Sequence, residues 1–109
     1  MYSYISEELP SIVERYFHVD SERRSIMGFS MGGNGALICA AKQPDHYRSV
    51  TALAPIGKPT SDSMFCKKAF PAYFGDSGAG KDYSITDILN EKGRTLTLPP
   101  GYIDVGSCD

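Results

Sequence analysis

A G-x-S-x-G pattern occupies the five residues from Gly28 to Gly32. In this pattern the serine, here Ser30, sits on a sharp, strained turn between a strand and a helix, where its exposed hydroxyl can act as a nucleophile. Side chains two residues before and after the serine are expected to collide, which explains Gly28 and Gly32, and Gly33 extends the thin turn. The backbone N–H of Met31 would donate to a developing oxyanion. The competing interpretation is a glycine-rich packing turn with an inert serine.

A serine nucleophile of this kind needs a histidine as general base and a carboxylate that orients the histidine, in the chain order Ser, Asp, His. The sequence has two histidines. His18 precedes the pattern, and His46 follows the next helix, at the opposite edge of the expected sheet. Both are therefore expected to be solvent-facing turn residues. Two carboxylates, Asp104 and Asp109, follow a strand-like run and are the candidate acids.

A second pattern, G-x-x-x-x-G-K at residues 75–81, is the type that holds phosphates. The next residue is Asp82, where that pattern requires a serine or threonine to hold magnesium, and no clean strand precedes the loop. An acidic side chain beside the phosphates would repel them. The segment is therefore interpreted as a solvated loop and not as a nucleotide site.

The elements around the serine pattern are predicted to be strand, helix and strand. Short apolar runs at residues 24–28 and 49–54 are typical of buried parallel strands, and residues 31–42 between them are rich in Ala, Leu and Ile, as in a helix. This succession predicts a right-handed crossover and a parallel sheet. A third parallel strand is expected at residues 102–105, after a helix at residues 83–91.

The N-terminal segment has apolar residues at helical spacing, which predicts an amphipathic helix over residues 4–17. Pro10 lies within it. Because proline lacks a backbone donor and its ring presses on the carbonyl of Ser6, a kink or a restart is expected there. A short helix at residues 66–73 is also compatible with the pattern.

Composition limits the classes of function. The 109 residues are 41% hydrophobic and 22% charged with a net charge of −2, which indicates one globular domain and argues against the basic surface that nucleic-acid binding needs. The absence of an apolar run of membrane length and of a signal peptide predicts a chain that is neither membrane-bound nor exported. Cys39, Cys66 and Cys108 have neither metal-ligand nor disulfide spacing, which favours a reducing cytosol. Cys39 is expected to be a small buried hydrophobe.

Several further segments match those of a known family: residues 1–10, 19–20, 25–33, 35–40, 54–56, 68–70, 73–75 and 103–104, with Gly106 and Asp109. On these segments the chain resembles the S-formylglutathione hydrolase family, also called esterase D. The resemblance is dense up to residue 56 and covers most of the chain. It implies a partial α/β-hydrolase fold over residues 1–109, that is, a three-layer sandwich with a mostly parallel sheet.

The resemblance also implies a function. The family consists of cytosolic serine esterases and thioesterases that hydrolyse S-formylglutathione to glutathione and formate in formaldehyde detoxification, without a metal or an organic cofactor. Carried over by residue, Ser30 is the nucleophile and Met31 provides an oxyanion N–H. Asp109 is the triad acid and Asp104 is its structural neighbour. The implied binding partner is a small thioester or ester substrate. Binding to nucleic acid or to a membrane is not expected, and assembly of the chain into a homo-oligomer is compatible with the sequence.

The chain departs from the family in length and in local sequence. A full domain of this kind needs about 200 residues or more, so the first strands, the loop with the second oxyanion donor and the catalytic histidine are expected to lie outside these 109 residues. Phe29 stands where the family usually has histidine, and residues 64–66 replace a Pro-Trp-Gly segment. Two hypotheses follow. The chain is the central piece of an S-formylglutathione hydrolase, incomplete as written, or a non-catalytic remnant whose exposed sheet edge pairs with another chain.

Overall fold

The computed structural model describes residues 1–58, 72 and 79–107 of the chain. The strands in these residues are β1 (Ser25–Phe29), β2 (Ser49–Leu53) and β3 (Gly101–Asp104). The α-helices are α1 (Leu9–Tyr16), α2 (Met31–Lys42) and α3 (Ile85–Lys92). The three predicted strands are therefore confirmed, each with ends displaced by no more than about one residue. The helix expected at residues 66–73 lies, Ala72 aside, outside the described residues.

The N-terminal segment folds as two consecutive helical pieces. A π-helix, Tyr4–Glu8, runs directly into α1, and Pro10 lies in the first turn of α1. In that turn the missing N–H costs little, because it would have no acceptor within the helix. The hydroxyl of Ser11 donates to Glu7 O at 2.7 Å across the junction. The expected restart at Pro10 is confirmed, and it takes the form of a widened π-turn ahead of the proline.

The sheet is parallel throughout, with the order β1-β2-β3. Gly28 pairs with Ala52, and Leu53 pairs with Asp104. Helix α2 connects β1 to β2 and packs against both strands. Parallel strands place their carboxyl ends at one edge, so the residues that follow the three strands lie together there. This edge, called the carboxyl edge below, positions the candidate site.

Helix α2 is the centre of the core. Residues 36–41 of this helix are each at most 5% exposed, and they share one buried cluster with Val50 and Ala52 of β2. Ile85 and Ile88 of α3 join the same cluster. Burial of each large aliphatic side chain contributes about 1.5–3 kcal/mol. Helix α2 therefore packs against the two strands that it connects, β1 and β2, and also against α3.

Both ends of α3 have capping residues. The hydroxyl of Ser84 caps α3 by accepting a hydrogen bond from Asp87 N at 3.3 Å, and Gly93, with φ +52°, follows its last residue. Glycine adopts this left-handed conformation without the Cβ penalty. The helix predicted at residues 83–91 is thus confirmed, with its start moved to Ile85. Within the described ranges, no helix has the length and apolar character needed to cross a membrane.

One face of the sheet is open to solvent in the described part of the chain. The register places Met27 beside Thr51 and Thr51 beside Tyr102, and Phe29 lies further along the same face. Met27 is 69% exposed, Phe29 is 70% exposed and Tyr102 is 59% exposed. Parallel sheets are normally covered by helices on both faces. The expected α/β fold with a parallel sheet is confirmed, and the face that carries Met27, Phe29 and Tyr102 is called the open sheet face below.

Candidate active site

Ser30 lies between the end of β1 and the start of α2, with φ 54° and ψ −117°. A positive φ is uncommon for a residue other than glycine because the Cβ atom approaches the backbone. Strain of this kind concentrates at functional sites, where the surrounding structure maintains it. The N–H of Ser30 donates to Leu53 O at 2.8 Å, which extends the pairing of β1 with β2 past the strand. The predicted tight turn at Ser30 is confirmed; residues 28–32 are called the elbow below.

The elbow requires glycine at Gly28 but not at Gly32, whereas the motif spacing predicts that a side chain would collide at both positions. A Cβ atom on Gly28 would lie 2.0 Å from Gly32 O, so no side chain fits there. A Cβ atom on Gly33 would lie 3.1 Å from Pro55 Cβ, closer than an ordinary contact. A Cβ atom on Gly32 would meet no described atom within 4 Å. The expected collision at Gly32 is therefore wrong for the described residues, because the crowding arises from the Gly32 carbonyl and falls on Gly28.

The carbonyl of Ser30 is held by two N–H donors. Asn34 N and Ile56 N each donate to Ser30 O at 3.2 Å. Met31 is the first residue of α2, and the first N–H groups of a helix have no acceptor within it and lie at its positive end. In this arrangement the Met31 N–H can donate to an oxyanion that forms beside Ser30.

Of the two candidate acids, the structure describes Asp104 and does not describe Asp109. Asp109 lies outside the described residues, and its role as the triad acid stays a prediction. Asp104 ends β3 and is paired with Leu53 of the neighbouring strand. Its carbonyl accepts a hydrogen bond from Ala54 N at 2.6 Å. Because adjacent strands lie about 4.8 Å apart, the Asp104 backbone is roughly 10 Å from the end of β1, at the same edge as Ser30.

Both histidines lie at the other edge of the sheet. His18 precedes β1, and His46 ends the 3₁₀-helix Pro44–His46, which precedes β2. Both side chains are exposed, as expected for solvent-facing residues. A strand of five residues separates the two edges by about 16 Å. Neither histidine is therefore close enough to take a proton from Ser30.

Asn34 is a buried polar residue that motif spacing did not single out. Its side chain is 6% exposed, its Nδ2 donates to Tyr83 O at 2.9 Å, and its Oδ1 accepts from Ile85 N at 3.3 Å. These bonds join the first turns of α2 to the start of α3. The sequence does contain one signal for Asn34, which is a single amide in a largely apolar helix. An amide buried in such a helix needs hydrogen-bond partners. The partners themselves are 49 and 51 residues away along the chain.

Cys39 is 5% exposed and free, which confirms the expectation of a small buried hydrophobe. Burial raises the pKa of its thiol above the ordinary 9.0, because the thiolate would lose its hydration. A thiol that stays protonated is a poor nucleophile and a poor metal ligand. In the part of the chain that the structure describes, no group of three or more His, Cys, Asp or Glu side chains could hold a metal ion.

The sequence as a whole matches known esterases. The Esterase family model matches residues 1–97. This chain belongs to the Esterase family. The chain is 54% identical over 90 residues to the S-formylglutathione hydrolase of Mus musculus, a match that covers 82% of this chain and 32% of that protein. It is 44% identical over 112 residues to the S-formylglutathione hydrolase of Paracoccus denitrificans, which covers 100% of this chain and 38% of that protein.

A solved structure extends the similarity to the fold. An S-formylglutathione hydrolase from Agrobacterium tumefaciens superposes on this chain with a TM-score of 0.84 at 38% sequence identity, covering 98% of this chain and 38% of that chain. The partial α/β-hydrolase fold that the resemblance implied is thus confirmed. The chain spans about a third of the length of the curated relatives it matches.

Proposed function

We propose that this esterase chain is the nucleophile-bearing segment of a serine hydrolase that cleaves S-formylglutathione to glutathione and formate. The observation that carries the proposal is the strained Ser30 at the carboxyl edge, between β1 and α2. It is supported by the S-formylglutathione hydrolases that are 44% and 54% identical to this chain. The proposal includes small esters as substrates and a cytoplasmic setting in formaldehyde breakdown.

The reaction begins with attack by Ser30. Its Oγ bonds to the thioester carbonyl carbon while a base takes the hydroxyl proton, and the carbonyl oxygen becomes an oxyanion. The Met31 N–H and the positive end of α2 stabilise that charge. The carbon–sulfur bond then breaks, the base returns its proton to the sulfur, and glutathione leaves as a thiol. Water, deprotonated by the same base, then attacks the formyl carbon. The bond from that carbon to Ser30 Oγ breaks, the base returns its proton to Oγ, and formic acid leaves and ionises to formate.

The base and its orienting acid complete the proposed triad. A histidine is the expected base, and His18 and His46, the two histidines of the sequence, precede β1 and β2 at the wrong edge. We therefore assign the base to the part of a longer protein that these 109 residues do not span. Asp109 is the proposed acid that orients it, with Asp104 as its neighbour.

A chimera tests the proposal. Residues 1–109 replace the matching segment of the Paracoccus denitrificans S-formylglutathione hydrolase, whose match spans the whole chain, so that the relative supplies the base. We expect the chimera to hydrolyse S-formylglutathione and to react with a fluorophosphonate probe at Ser30. Ser30→Ala should lower kcat by several orders of magnitude, because the covalent route is lost.

Ser49→Ala is the matched control for Ser30→Ala. The Ser49 hydroxyl bonds to the hydroxyl of Ser25 at 2.8 Å, at the amino ends of β1 and β2. This variant should retain both turnover and probe labelling. Activity that survives Ser30→Ala to within about tenfold would contradict the assignment of the nucleophile.

The second candidate function is association through the sheet. It is favoured by the exposed Met27 and Phe29 of the open sheet face and by β1, which pairs with one strand among the described residues. Under this proposal the purified 109-residue chain self-associates in sedimentation experiments, and Phe29→Thr weakens the association. Phe17→Thr is the control, because Phe17 is 65% exposed but lies outside the sheet. A chain that stays monomeric at high concentration would exclude this candidate.

A further inference from the structure

A turn at the end of the neighbouring strand contacts the elbow. Ala54, the first residue after β2, has φ 41°. In the described part of the chain, Ala54 and Ser30 are the two residues other than glycine that have a positive φ. The Ala54 N–H donates to Asp104 O at 2.6 Å, and the Ile56 N–H donates to Ser30 O at 3.2 Å. Residues 54–56, called the 54–56 turn, thus link the end of β3 to the carbonyl of the proposed nucleophile.

The carbonyl that Ile56 holds belongs to the same planar group as the proposed oxyanion donor. The C=O of Ser30 and the N–H of Met31 are the two polar groups of one peptide bond. In a trans peptide they point in opposite directions and turn together, and the described residues contain no cis peptide. Holding Ser30 O in place therefore sets the direction in which the Met31 N–H points.

We propose that the 54–56 turn is a positioning element for the oxyanion site, in which the Ile56 N–H sets the direction of the Met31 N–H. This inference rests on the proposed function, since it assigns a role within that reaction. A misdirected Met31 N–H would leave Ser30 and substrate binding in place and would weaken the stabilisation of charge in the transition state. The expected signature is a lower kcat with little change in KM.

The contact of Pro55 with α2 explains how the turn comes close enough. A Cβ atom on Gly33 would lie 3.1 Å from Pro55 Cβ and 3.2 Å from Pro55 Cα. The absence of a side chain at Gly33 therefore allows the 54–56 turn to rest on the first turn of α2. The other donor to Ser30 O, the Asn34 N–H, comes from α2 itself and does not depend on this turn. Removal of the Ile56 N–H should thus cause a partial loss of activity.

The test uses the chimera described above, with a backbone ester in place of the amide at position 56. The α-hydroxy acid analogue of isoleucine replaces the N–H by oxygen and keeps the side chain. The same ester substitution at Val19, whose N–H donates to Phe17 O at 3.0 Å ahead of β1, is the matched control. Values of kcat are expressed per Ser30 titrated with fluorophosphonate, so that unfolded protein does not count. We expect the ester to lower kcat about 10- to 100-fold, less than the 10²- to 10³-fold effect of deleting a donor. KM should change by less than about threefold.

A trifluoromethyl ketone, which forms an oxyanion when it adds to Ser30, provides a second readout in the same variants. Its inhibition constant should rise by about the factor by which kcat falls, and the ester at Val19 should leave both unchanged. Ala54→Gly should lower kcat less than Ala54→Val does, because glycine adopts a positive φ freely. Ala54→Val should lower kcat, because a β-branched residue resists that conformation.

The outcomes separate this inference from the proposed function. An active chimera whose ester variant keeps kcat per titrated serine overturns the positioning role alone. The same holds if the ester variant loses only thermal stability or titratable serine, since a merely structural turn would behave in that way. A parent chimera without Ser30-dependent turnover overturns the proposed function, and the positioning role fails with it.

Discussion

The N–H of Ser30 donates to the carbonyl of Leu53 at 2.8 Å, although Ser30 has already left β1. The hydrogen bonding of the sheet therefore reaches into the elbow. As a result, the position of the candidate nucleophile depends on β2 as well as on its own strand. Substitutions that shift β2 against β1 should disturb Ser30 even where they make no contact with it.

The isolated 109-residue chain should show no meaningful hydrolysis of S-formylglutathione. Ser30 has no histidine near it, and a neutral hydroxyl is a poor nucleophile. The family resemblance also implies a second oxyanion donor outside these 109 residues, and the loss of one donor costs about 2.7–4 kcal/mol in a comparable hydrolase. The assay compares the purified chain with its Ser30→Ala variant. Ser30-dependent turnover of about 1 s⁻¹ or more would show that His18 or His46 can serve as the base.

Alanine at Gly28 and alanine at Gly32 should have opposite effects on stability. Gly28→Ala places a Cβ atom 2.0 Å from Gly32 O, a backbone atom that cannot move aside, so the elbow must open. We expect a loss of about 3 kcal/mol or more in the free energy of unfolding. Gly32→Ala meets no described atom and should gain about 0.5–1 kcal/mol from helix propensity. Urea unfolding followed by circular dichroism measures both, and equal midpoints would contradict the geometry.

The strands and the elbow could be predicted because their signals are local. The apolar runs at β1 and β2, and the glycines on either side of Ser30, act on neighbours within a few residues. The same reasoning placed a collision at Gly32 because spacing identifies the crowded turn without showing which atom faces which. In the folded chain the Gly32 carbonyl points at Gly28, so the position that excludes a side chain is Gly28.

The 54–56 turn and the Asn34 bonds could not be predicted from the sequence. Alanine carries no signal for a positive φ, and the partners of the 54–56 turn lie elsewhere in the chain: the Ala54 N–H donates to Asp104 O and the Ile56 N–H donates to Ser30 O. Asn34 likewise finds its partners in a segment about 50 residues away. Such contacts arise only after the elements have packed, and no local pattern encodes them.

Asn34→Leu should destabilise the packing of α3 on α2. The substitution removes the hydrogen bond that Asn34 Nδ2 donates to Tyr83 O and the one that Asn34 Oδ1 accepts from Ile85 N. Loss of a buried hydrogen bond costs about 1–3 kcal/mol. Hydrogen exchange should show the change as faster exchange of the α3 amides. Asn90→Leu, on the exposed surface of α3, is the control and should shift stability by no more than about 0.5 kcal/mol. Equal effects of the two substitutions would show that the buried amide has no special role.

Stability should fall as the pH rises above about 9. Burial raises the pKa of folded Cys39 above the ordinary 9.0, so the unfolded thiol ionises while the folded thiol keeps its proton. The unfolded state then binds fewer protons, and the free energy of unfolding decreases with pH. Below pH 9 both states are protonated and the contribution is complete. Tyr2 and Tyr47, whose pKa values burial also raises above 10.0, continue the decline at higher pH.

Cys39→Ala tests this pH dependence. In urea unfolding between pH 7 and 10, the variant should lose less stability than the parent above pH 9, although its absolute stability is lower because the core loses a side chain. A decline of the same steepness in both proteins would assign the effect to other groups.

The spacing of the strand pairs along the chain sets an order for folding during synthesis. Ser25 pairs with Ser49, 24 positions later, whereas Val50 pairs with Gly101, 51 positions later. Shorter loops cost less entropy to close, and contacts between near neighbours form faster. Asn34 lies within the β1-α2-β2 unit and Ile56 follows β2 by three residues, so we expect the elbow to acquire its bonds before the strand with Asp104 has been translated. Pulsed hydrogen exchange on nascent chains should then protect the amides of β2 facing β1 first, and the nucleophile would be shaped while the polypeptide is still attached to the ribosome.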